Sequence, residues 1–294
     1  AKGFTTLFLI KFLSMRNFSA LLFTLFLSGS SLLAQHSTLR FSDSPINLNN
    51  QSLLIVPFES RMFLCEINRE LATENQLSVK EITDRFTSAL DQSILYTFQE
   101  RCDVSSFYLL EDEEAKSDLS FIYSNIKLEY ELVEAAREKN GISKLKSKIK
   151  KEDNSYQRGR IENGQVVTKR DDRERYMKAV VKDPQMLDSM HYKFNNKYFL
   201  FVNELDIKNI YEGAHQMAQM DFEREIKLHY TLYQKNGEIL STGVSKTHFP
   251  AKLNDINLII KNYFPILAQQ IYADLFPSEG NEAGDSKFNL KKWK

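Results

Sequence analysis

The chain has 294 residues, of which 42% are hydrophobic and 27% charged, a composition typical of a globular protein. Its formal net charge is zero, but residues 1–34 hold three basic residues and no acidic one, so the remainder has a net charge of −3. A negative net charge argues against a nucleic-acid-binding protein, since such proteins carry an excess of basic residues. The length fits one domain of about 200 residues with appendages.

The N-terminus is predicted to be a targeting segment. A basic residue after Met15 precedes the mostly apolar run Ala20–Leu27, and small residues then lead to a cleavage site after Ala34. Residues 1–14 are interpreted as translated upstream sequence. An uncleaved anchor from Phe4 to Leu33 is the alternative, but polar residues interrupt that run. We therefore expect an exported protein, periplasmic or secreted, with no membrane span after cleavage.

Two cysteines, Cys65 and Cys102, remain in the mature chain. Export permits a disulfide between them. Two separate, partly buried thiols are an equally good interpretation, because the distance between the two Cα atoms decides the matter.

The mature chain alternates between strand-like and helix-like patterns. Residues 35–51 are a polar lead-in, and the polar tail 277–294 is expected to be disordered. Continuous or alternating apolar residues predict strands, and apolar residues four apart predict helices, the first of which begins with a capping-box pattern. The predicted strands are Ser52–Phe58, Ser105–Leu110 and Tyr198–Asn209, and the predicted helices are Val79–Arg101, Glu113–Ala136 and Leu253–Leu275, with Pro265 kinking or dividing the last.

The segment Asp221–Phe249 predicts a β-hairpin around the turn Lys235-Asn236-Gly237. A two-residue turn would place Leu240 and Val244 on the face opposite Leu228 and Leu232. A three-residue loop with Gly237 in the left-handed region places all four on one face, and we favour it. In that register His229 faces Gly243, and His248 faces Arg224.

These elements predict an α+β fold. The expected architecture is a mixed sheet of about five strands, ending in the antiparallel hairpin, with three long helices packed on it. A single domain over residues 52–276 is expected, interrupted by one basic insertion.

The insertion covers residues 137–178, which hold 14 basic and 7 acidic residues. Asn163-Gly164 could turn a small hairpin within it. A solvated appendage that folding does not need is the plainer interpretation. The alternative is a cationic arm that binds an acidic protein surface or an anionic envelope surface. The lysines that would carry this binding are Lys144, Lys146, Lys148, Lys150 and Lys151.

The order of elements resembles a bacterial envelope domain. That domain is shared by the curli-secretion channel lipoprotein, the lipoprotein activators of penicillin-binding proteins and the amino-terminal domain of TolB. The segments carrying the resemblance are Leu53–Phe58, the helix with Leu90 and Ile94, Phe199–Leu205 and Leu228–Leu240. The resemblance implies a role in binding and assembling envelope components, without catalysis. No lipid-anchoring cysteine follows the signal segment, and the basic insertion lies outside the shared pattern.

The sequence offers no recognisable catalytic set. There is no Cys-x-x-Cys pair, nucleophile elbow, phosphate-binding glycine loop or His-Glu-x-x-His motif, so no cofactor or metal is predicted. The five histidines are interpreted as surface or sheet residues. The acidic run Glu111–Glu114 lacks the alternate spacing of a calcium loop and suits a helix start.

The loop Glu59–Cys65 is the remaining candidate. Its residues Arg61, Met62 and Phe63 either form a partner surface or tuck under the next helix, and tucking is favoured for the apolar ones. We expect an exported, non-catalytic binding or assembly module for an envelope component. A periplasmic hydrolase or small-ligand-binding enzyme with an unrecognised site is the alternative, and it requires a pocket with convergent titratable groups.

Overall fold

The structure is a computed structural model that describes residues 37–41, 46–109, 113–133, 160–162, 165–167, 173–211 and 214–276. The predicted signal segment, the lysines of residues 144–151 and the tail 277–294 lie outside the described residues.

A seven-stranded mixed sheet forms the centre of the protein. Its order is β1-β11-β10-β9-β2-β4, with the short strand β3 beside the C-terminal half of β9. β2 runs parallel to β4 and β9, and β3 runs parallel to β9, whereas the pairs β9–β10, β10–β11 and β11–β1 are antiparallel. The strands are β1 Ser37–Phe41, β2 Ser52–Val56, β3 Phe63–Cys65, β4 Asp103–Ser106, β9 Tyr198–Ile210, β10 Glu223–Gln234 and β11 Ile239–Pro250.

Two small antiparallel pairs accompany this sheet. One is the ribbon formed by β5 (Ile126–Leu132) and β8 (Arg175–Val181). The other is the hairpin of β6 (Arg160–Glu162) and β7 (Gln165–Val167). The helices are α1 Asn68–Asn75, α2 Val79–Phe98, α3 Glu113–Asn125, α4 Gln185–Phe194, α5 Ala214–Gln219 and α6 Ile256–Leu275.

The larger apolar core lies between the sheet and the helices α2 and α6, on what we call the helix face. α2 contributes residues four apart, because that spacing aligns side chains on one side of a helix. Alternate residues of β9 and β10 meet them, and each fully buried Leu, Ile or Phe stabilises the fold by about 1.5–3 kcal/mol. The central members are Phe86, Leu90, Ile94, Leu205, Leu228, Leu232, Ile259, Leu267 and Ile271.

Local signals fix the ends of these helices. The Ser78 hydroxyl accepts from the Glu81 N–H, and the Glu81 carboxylate accepts from the Ser78 N–H, which closes the predicted capping box. Asp255 caps α6 by accepting from two backbone N–H groups. α6 continues through Pro265 as one helix, so the expected division there does not occur.

The opposite side of the sheet, the ribbon face, carries a second core. Phe199 and Phe201 of β9 pack there with residues of α3, α4 and the ribbon. The α+β class is therefore confirmed, with a mixed sheet, a C-terminal antiparallel hairpin and long helices on it. The sheet has seven strands rather than about five, because β1 and β3 extend it.

The predicted helix Glu113–Ala136 is wrong in its second half. α3 ends at Asn125, and Ile126–Leu132 is the strand β5. Apolar Ile126, Leu128 and Tyr130 alternate with charged residues there, which is strand period. The acidic residues at the start of the segment favour a helix, so the change from helical spacing to strand alternation after Asn125 was not recognised.

The predicted boundary of the basic insertion at residue 178 also needs correction. Arg175–Val181 is β8, and Tyr176 and Met177 are buried. The basic composition concealed a strand whose apolar residues face the sheet. The lead-in 35–51 likewise contains β1, which pairs with the outer edge of β11 and so covers an otherwise open strand.

The hairpin β10–β11 exists, but its register differs from the prediction by one residue. Gly237 has φ +85°, the expected left-handed conformation. An irregularity at Leu240, next to the pairs of Leu232 and Tyr233, shifts the strands. His229 therefore pairs with Val244, on the face opposite Leu228, and His248 pairs with Glu225.

Within the described ranges, no helix combines the length and apolar character needed to cross a bilayer.

Candidate functional site

The ribbon packs on the sheet through hydrogen bonds between backbone groups of β8 and side chains of the sheet, and we call this set of bonds the ladder. Even-numbered residues of β8 bond to β5, which leaves the odd-numbered N–H groups of β8 pointing at the sheet. Alternate side chains of β10 accept them. The three bonds are Met177 N to His229 Nδ1 at 2.9 Å, Ala179 N to Thr231 Oγ1 at 3.1 Å, and Val181 N to Tyr233 Oη at 3.3 Å.

The carbonyls on the same edge of β8 are also satisfied. Asn203 Nδ2 donates to the Met177 carbonyl at 2.9 Å, and Tyr233 Oη donates to the Ala179 carbonyl at 2.9 Å. Asn203 is the extra residue of a bulge in β9, because His229 pairs with Glu204 and the next residue of β10 pairs with Val202. The bulge places Asn203 and Glu204 on the same face, and the sheet side chains thereby replace a neighbouring strand.

A buried acid and a buried histidine lie beside this ladder. Because His229 Nδ1 accepts from Met177, the proton of the neutral ring is on Nε2, which lies 3.4 Å from Glu204 Oε1. Burial lowers the pKa of His229 to about 3, with the nearby Lys227 adding to the effect. Burial raises the pKa of Glu204, although the hydroxyl of Tyr130 donates to its other oxygen. The histidine is thus a neutral hydrogen-bonding group across the usual range of pH.

The carboxyl ends of the parallel strands β2 and β4 hold one more buried acid. Asp91 of α2 is 3% exposed, and its Oδ2 accepts from the Ser106 hydroxyl, while Oδ1 has no hydrogen-bond partner among the described residues. Burial raises the pKa of Asp91 to about 7. The cleft beside it is too narrow to hold even a water molecule. The lining residues are Pro57, Phe58, Thr87, Leu90, Asp91 and Val202.

The cleft and its single acid differ from a typical ligand pocket. Such pockets measure roughly 300–1,000 Å³ and combine several polar groups. Thr83 and Thr87 donate to backbone carbonyls of α2 itself, and Ser106 is engaged by Asp91. Across the described segments, no group of three or more His, Cys, Asp or Glu side chains is placed to hold a metal ion.

The two cysteines are free thiols in the structure. Cys65 lies in β3 beside Ile207, and Cys102 follows α2, where its Sγ lies 3.3 Å from the Leu48 carbonyl oxygen. Burial raises the pKa of Cys65 to about 12 and that of Cys102 to about 11. Both are therefore unreactive thiols, and the disulfide alternative is not formed.

The predicted partner loop is only partly exposed. Phe63 is buried in the helix-face core, where its ring meets Phe86 edge-on at 5.5 Å, and Met62 packs against the same core. Both pack inward, as favoured from the sequence, although Met62 is only partly buried. Arg61 stays exposed and pairs with Glu59 at 2.7 Å. The apolar residue that faces outward is Leu64, because side chains alternate along β3.

Four exposed apolar side chains lie along the C-terminal part of β9 or close to its end. Leu64 pairs with Asp206, four residues before Ile210 ends the strand, and Tyr211 follows directly. Met220 precedes the start of β10, which pairs with Ile210. Their exposed fractions are 42% for Leu64, 42% for Ile210, 46% for Tyr211 and 36% for Met220. We call these four residues the β9-end patch.

The end of β9 that carries the patch is firmly held. Buried Arg224 donates to Asn209 Oδ1 at 3.2 Å and to Asn254 Oδ1 at 2.7 Å, which joins β9 to the start of α6. The Asn209 N–H donates to Glu66 Oε2 at 2.9 Å, which joins β9 to the segment after β3. A binding surface on such supported strands is more precise than one on a loop.

Neither this patch nor the ladder was predicted from the sequence. Alternation in Phe63-Leu64-Cys65 could have indicated which side chain faces outward. The ladder depends on a contact between β8 and β10, 52 residues apart in the sequence, for which no local signal exists. His229 and Thr231 lie in a strongly predicted strand, but their partners lie in a segment interpreted as an appendage.

Comparisons with known proteins give little further guidance. No protein-family model and no curated protein sequence matches the chain. A dodecamer of a PelC variant from Paraburkholderia phytofirmans is similar in structure at 6% identity, covering 82% of this chain and 98% of that one, with a TM-score of 0.33. A second PelC dodecamer from the same organism gives 6% identity, 79% and 95% coverage, and a TM-score of 0.32. Similarity this low establishes neither a shared fold nor a function.

Proposed function

We propose that this is an exported envelope protein that acts as a non-catalytic binding or assembly module. The β9-end patch is the observation that carries the proposal. Ile210, Tyr211 and Met220 lie at or just beyond the strand ends of β9 and β10, Leu64 lies beside β9 four residues earlier, and each is more than a third exposed. Exposed apolar groups gathered in this way mark interaction surfaces more often than ordinary solvent-exposed surface.

Two features of the sequence support the export and the assembly role. The segment before Ala34 has the basic, apolar and small-residue order of a signal peptide. The resemblance to the bacterial envelope domain, carried by Leu53–Phe58 and Phe199–Leu205, implies binding of other envelope components. The partner would be an envelope protein that covers Tyr211 and its neighbours with apolar groups.

The hydrolase alternative would have to draw on Asp91, whose raised pKa and strand-end position suit a general acid or base. The small cleft beside Asp91 supports catalysis less well than the β9-end patch supports binding. Glu204 and His229 are committed to the ladder and to Tyr130. We therefore favour binding over catalysis.

The proposal is tested by affinity capture from envelope fractions of the cells that produce the protein. Ile210→Glu and Tyr211→Ser should each reduce recovery of a stable partner by about tenfold or more, since loss of a buried interface anchor costs about 2 kcal/mol. Tyr192→Ser is the matched control, because Tyr192 of α4 is 85% exposed and lies outside the patch. Equal recovery with all three variants, or turnover of a small substrate by the lone protein, would contradict the proposal.

A further inference from the structure

The outer edge of the ribbon presents unpaired backbone groups. Lys182 N donates to the Asn125 carbonyl and Val133 N donates to the Glu174 carbonyl, so the odd-numbered residues of β5 bond to β8. The N–H and C=O groups of Ile126, Leu128 and Tyr130 therefore point away from β8. They have no hydrogen-bond partner among the described residues. Such an edge can pair with another strand.

The charges on β5 restrict which strand can pair there. Lys127 Nζ and Glu129 Oε1 form an exposed ion pair at 2.7 Å on one face of the strand. A lone lysine on an edge strand discourages pairing. A lysine and a glutamate two residues apart instead favour a partner that presents the same two charges in reverse order, which an antiparallel copy of β5 does.

The register of such a pair follows from the charges. A twofold axis through Leu128 places each Lys127 opposite the Glu129 of the second copy, so two opposite-charge contacts form. An axis through Glu129 would oppose Glu129 to itself, and an axis through Lys127 would oppose Lys127 to itself. With this axis, Leu128 forms a hydrogen-bonded pair with the Leu128 of the second copy, as its outward-pointing backbone groups require. Lys127 and Glu129 then occupy non-hydrogen-bonded positions, where the side chains of the two strands are closer.

The apolar positions agree with the same register. Ile126 falls opposite the Tyr130 of the second copy, and β-branched residues pair well with aromatic rings across strands. The ring of Tyr130 is half exposed, while its hydroxyl is held by Glu204. Tyr130 is therefore already fixed in position before a second strand arrives.

We propose that a second copy of this chain binds at the β5 edge, antiparallel, with its twofold axis at Leu128. The pair joins two ribbons into a four-stranded sheet. The contact is short, so it falls below the roughly 1,000 Å² of a stable interface and gives a concentration-dependent dimer. The inference is independent of the β9-end patch and of the proposed envelope partner.

Sedimentation equilibrium of the purified protein over a range of concentrations tests the dimer. Wild type should associate reversibly. Lys127→Glu and Glu129→Lys each create two like-charge contacts, and each should raise the dimer Kd by about tenfold or more. Lys80→Glu, in another exposed ion pair on α2, should leave the Kd unchanged. Circular dichroism of each variant checks that it is folded.

Mixing the two single variants tests whether opposite charges across the interface restore association. Lys127→Glu with Glu129→Lys restores two opposite-charge contacts in the mixed dimer, and the double variant K127E/E129K restores them in its own homodimer. Association should return in both cases to within about threefold of wild type. A wild type that stays monomeric, single variants that associate as wild type does, or mixtures that fail to recover would each overturn the inference. None of these results would bear on partner capture through the β9-end patch.

Discussion

Asp91 is the buried acid whose charge the fold opposes most clearly. One carboxylate oxygen accepts from Ser106, the other has no partner in the described part of the chain, and burial raises the pKa to about 7 from an ordinary 3.8. Between those two pH values the folded protein binds a proton that the unfolded chain has lost. Stability linked to Asp91 is therefore full below about pH 4 and declines as pH rises through 7.

Asp91→Asn should remove this decline. The amide keeps a hydrogen bond with Ser106 but cannot ionise, so the variant should be more stable than wild type at pH 8 and similar to it near pH 4. Each pKa unit corresponds to on the order of 1.4 kcal/mol, and each kcal/mol to about 2–4 °C in Tm. Thermal denaturation at the two pH values measures the difference. A stability change independent of pH would contradict the assignment.

His229 acts in the opposite direction. Its folded pKa of about 3 lies below the ordinary 6.5, so the unfolded chain binds the extra proton between those values. Stability from this group is present above about pH 6.5 and is lost as pH falls toward 3. We expect His229→Gln, which can still accept from Met177, to lose less stability than wild type between pH 6.5 and 4. Denaturant titrations across that range measure it, and parallel curves would refute it.

At the residue scale, the sequence indicated which elements hold the apolar residues, but not which of those residues are buried or what they contact. Phe63 and Leu64 are adjacent, but only their register against β9 shows that one enters the core and the other reaches solvent. The free state of Cys65 and Cys102 depended on a distance that no local pattern contains. The predicted cross-strand partners of His229 and His248 were wrong, because one irregularity at Leu240 shifts the register.

At the scale of elements, the ladder between β8 and β10 is the least ordinary contact. An edge strand is buried against a sheet face only because side chains satisfy its N–H groups. Thr231 is central to it, since its hydroxyl accepts from both Ala179 N and Asn203 Nδ2. The ladder therefore makes the ribbon part of the folded core.

Thr231→Val should lower the free energy of unfolding by about 1–3 kcal/mol, because it leaves a buried N–H unpaired while keeping the shape of the side chain. Thr231→Ser, which retains the hydroxyl and loses a methyl group, is the control and should cost less. Chemical denaturation of both variants gives the comparison. If the serine variant proved the less stable of the two, packing rather than hydrogen bonding would explain Thr231.

The ribbon also divides the basic insertion into two parts. Replacing residues 139–172 with a short Gly/Ser linker should leave Tm nearly unchanged, because their few apolar residues cannot offset an ordering cost of about 1–2 kcal/mol per residue. Extending the replacement through residue 178 removes Tyr176 and Met177 and should unfold the domain or lower Tm sharply. Thermal denaturation distinguishes the two deletion variants, and a large loss of stability with the shorter deletion would contradict this division.

Elements with a single strong period were predictable. α2, β9 and the hairpin strands follow from apolar spacing and from turn residues such as Gly237. β5 was missed because it continues a helix-like acidic segment, and β8 because it lies at the end of a basic stretch. Each also pairs with a strand more than 40 residues away. In β5 and β8, the charged composition of the surrounding segment therefore hid the alternation of apolar residues that indicates a strand.

At the scale of the whole molecule, export is the first part of the proposal to check. Intact mass of the protein recovered from envelope fractions should correspond to a chain that begins at Gln35. Ala34→Tyr should block processing, because the residue before the cut must be small. A mass that retains residues from Met15 onward in the wild type would favour the uncleaved anchor instead.

We propose that the β9-end patch binds an envelope partner. Site-specific photo-crosslinking in living cells tests this binding, with the reactive residue placed at Tyr211 or, as control, at Tyr192. We predict a discrete crosslinked species from position 211, which Ile210→Glu diminishes, and none from position 192. No crosslinked species at position 211, or the same species from both positions, would contradict the claim.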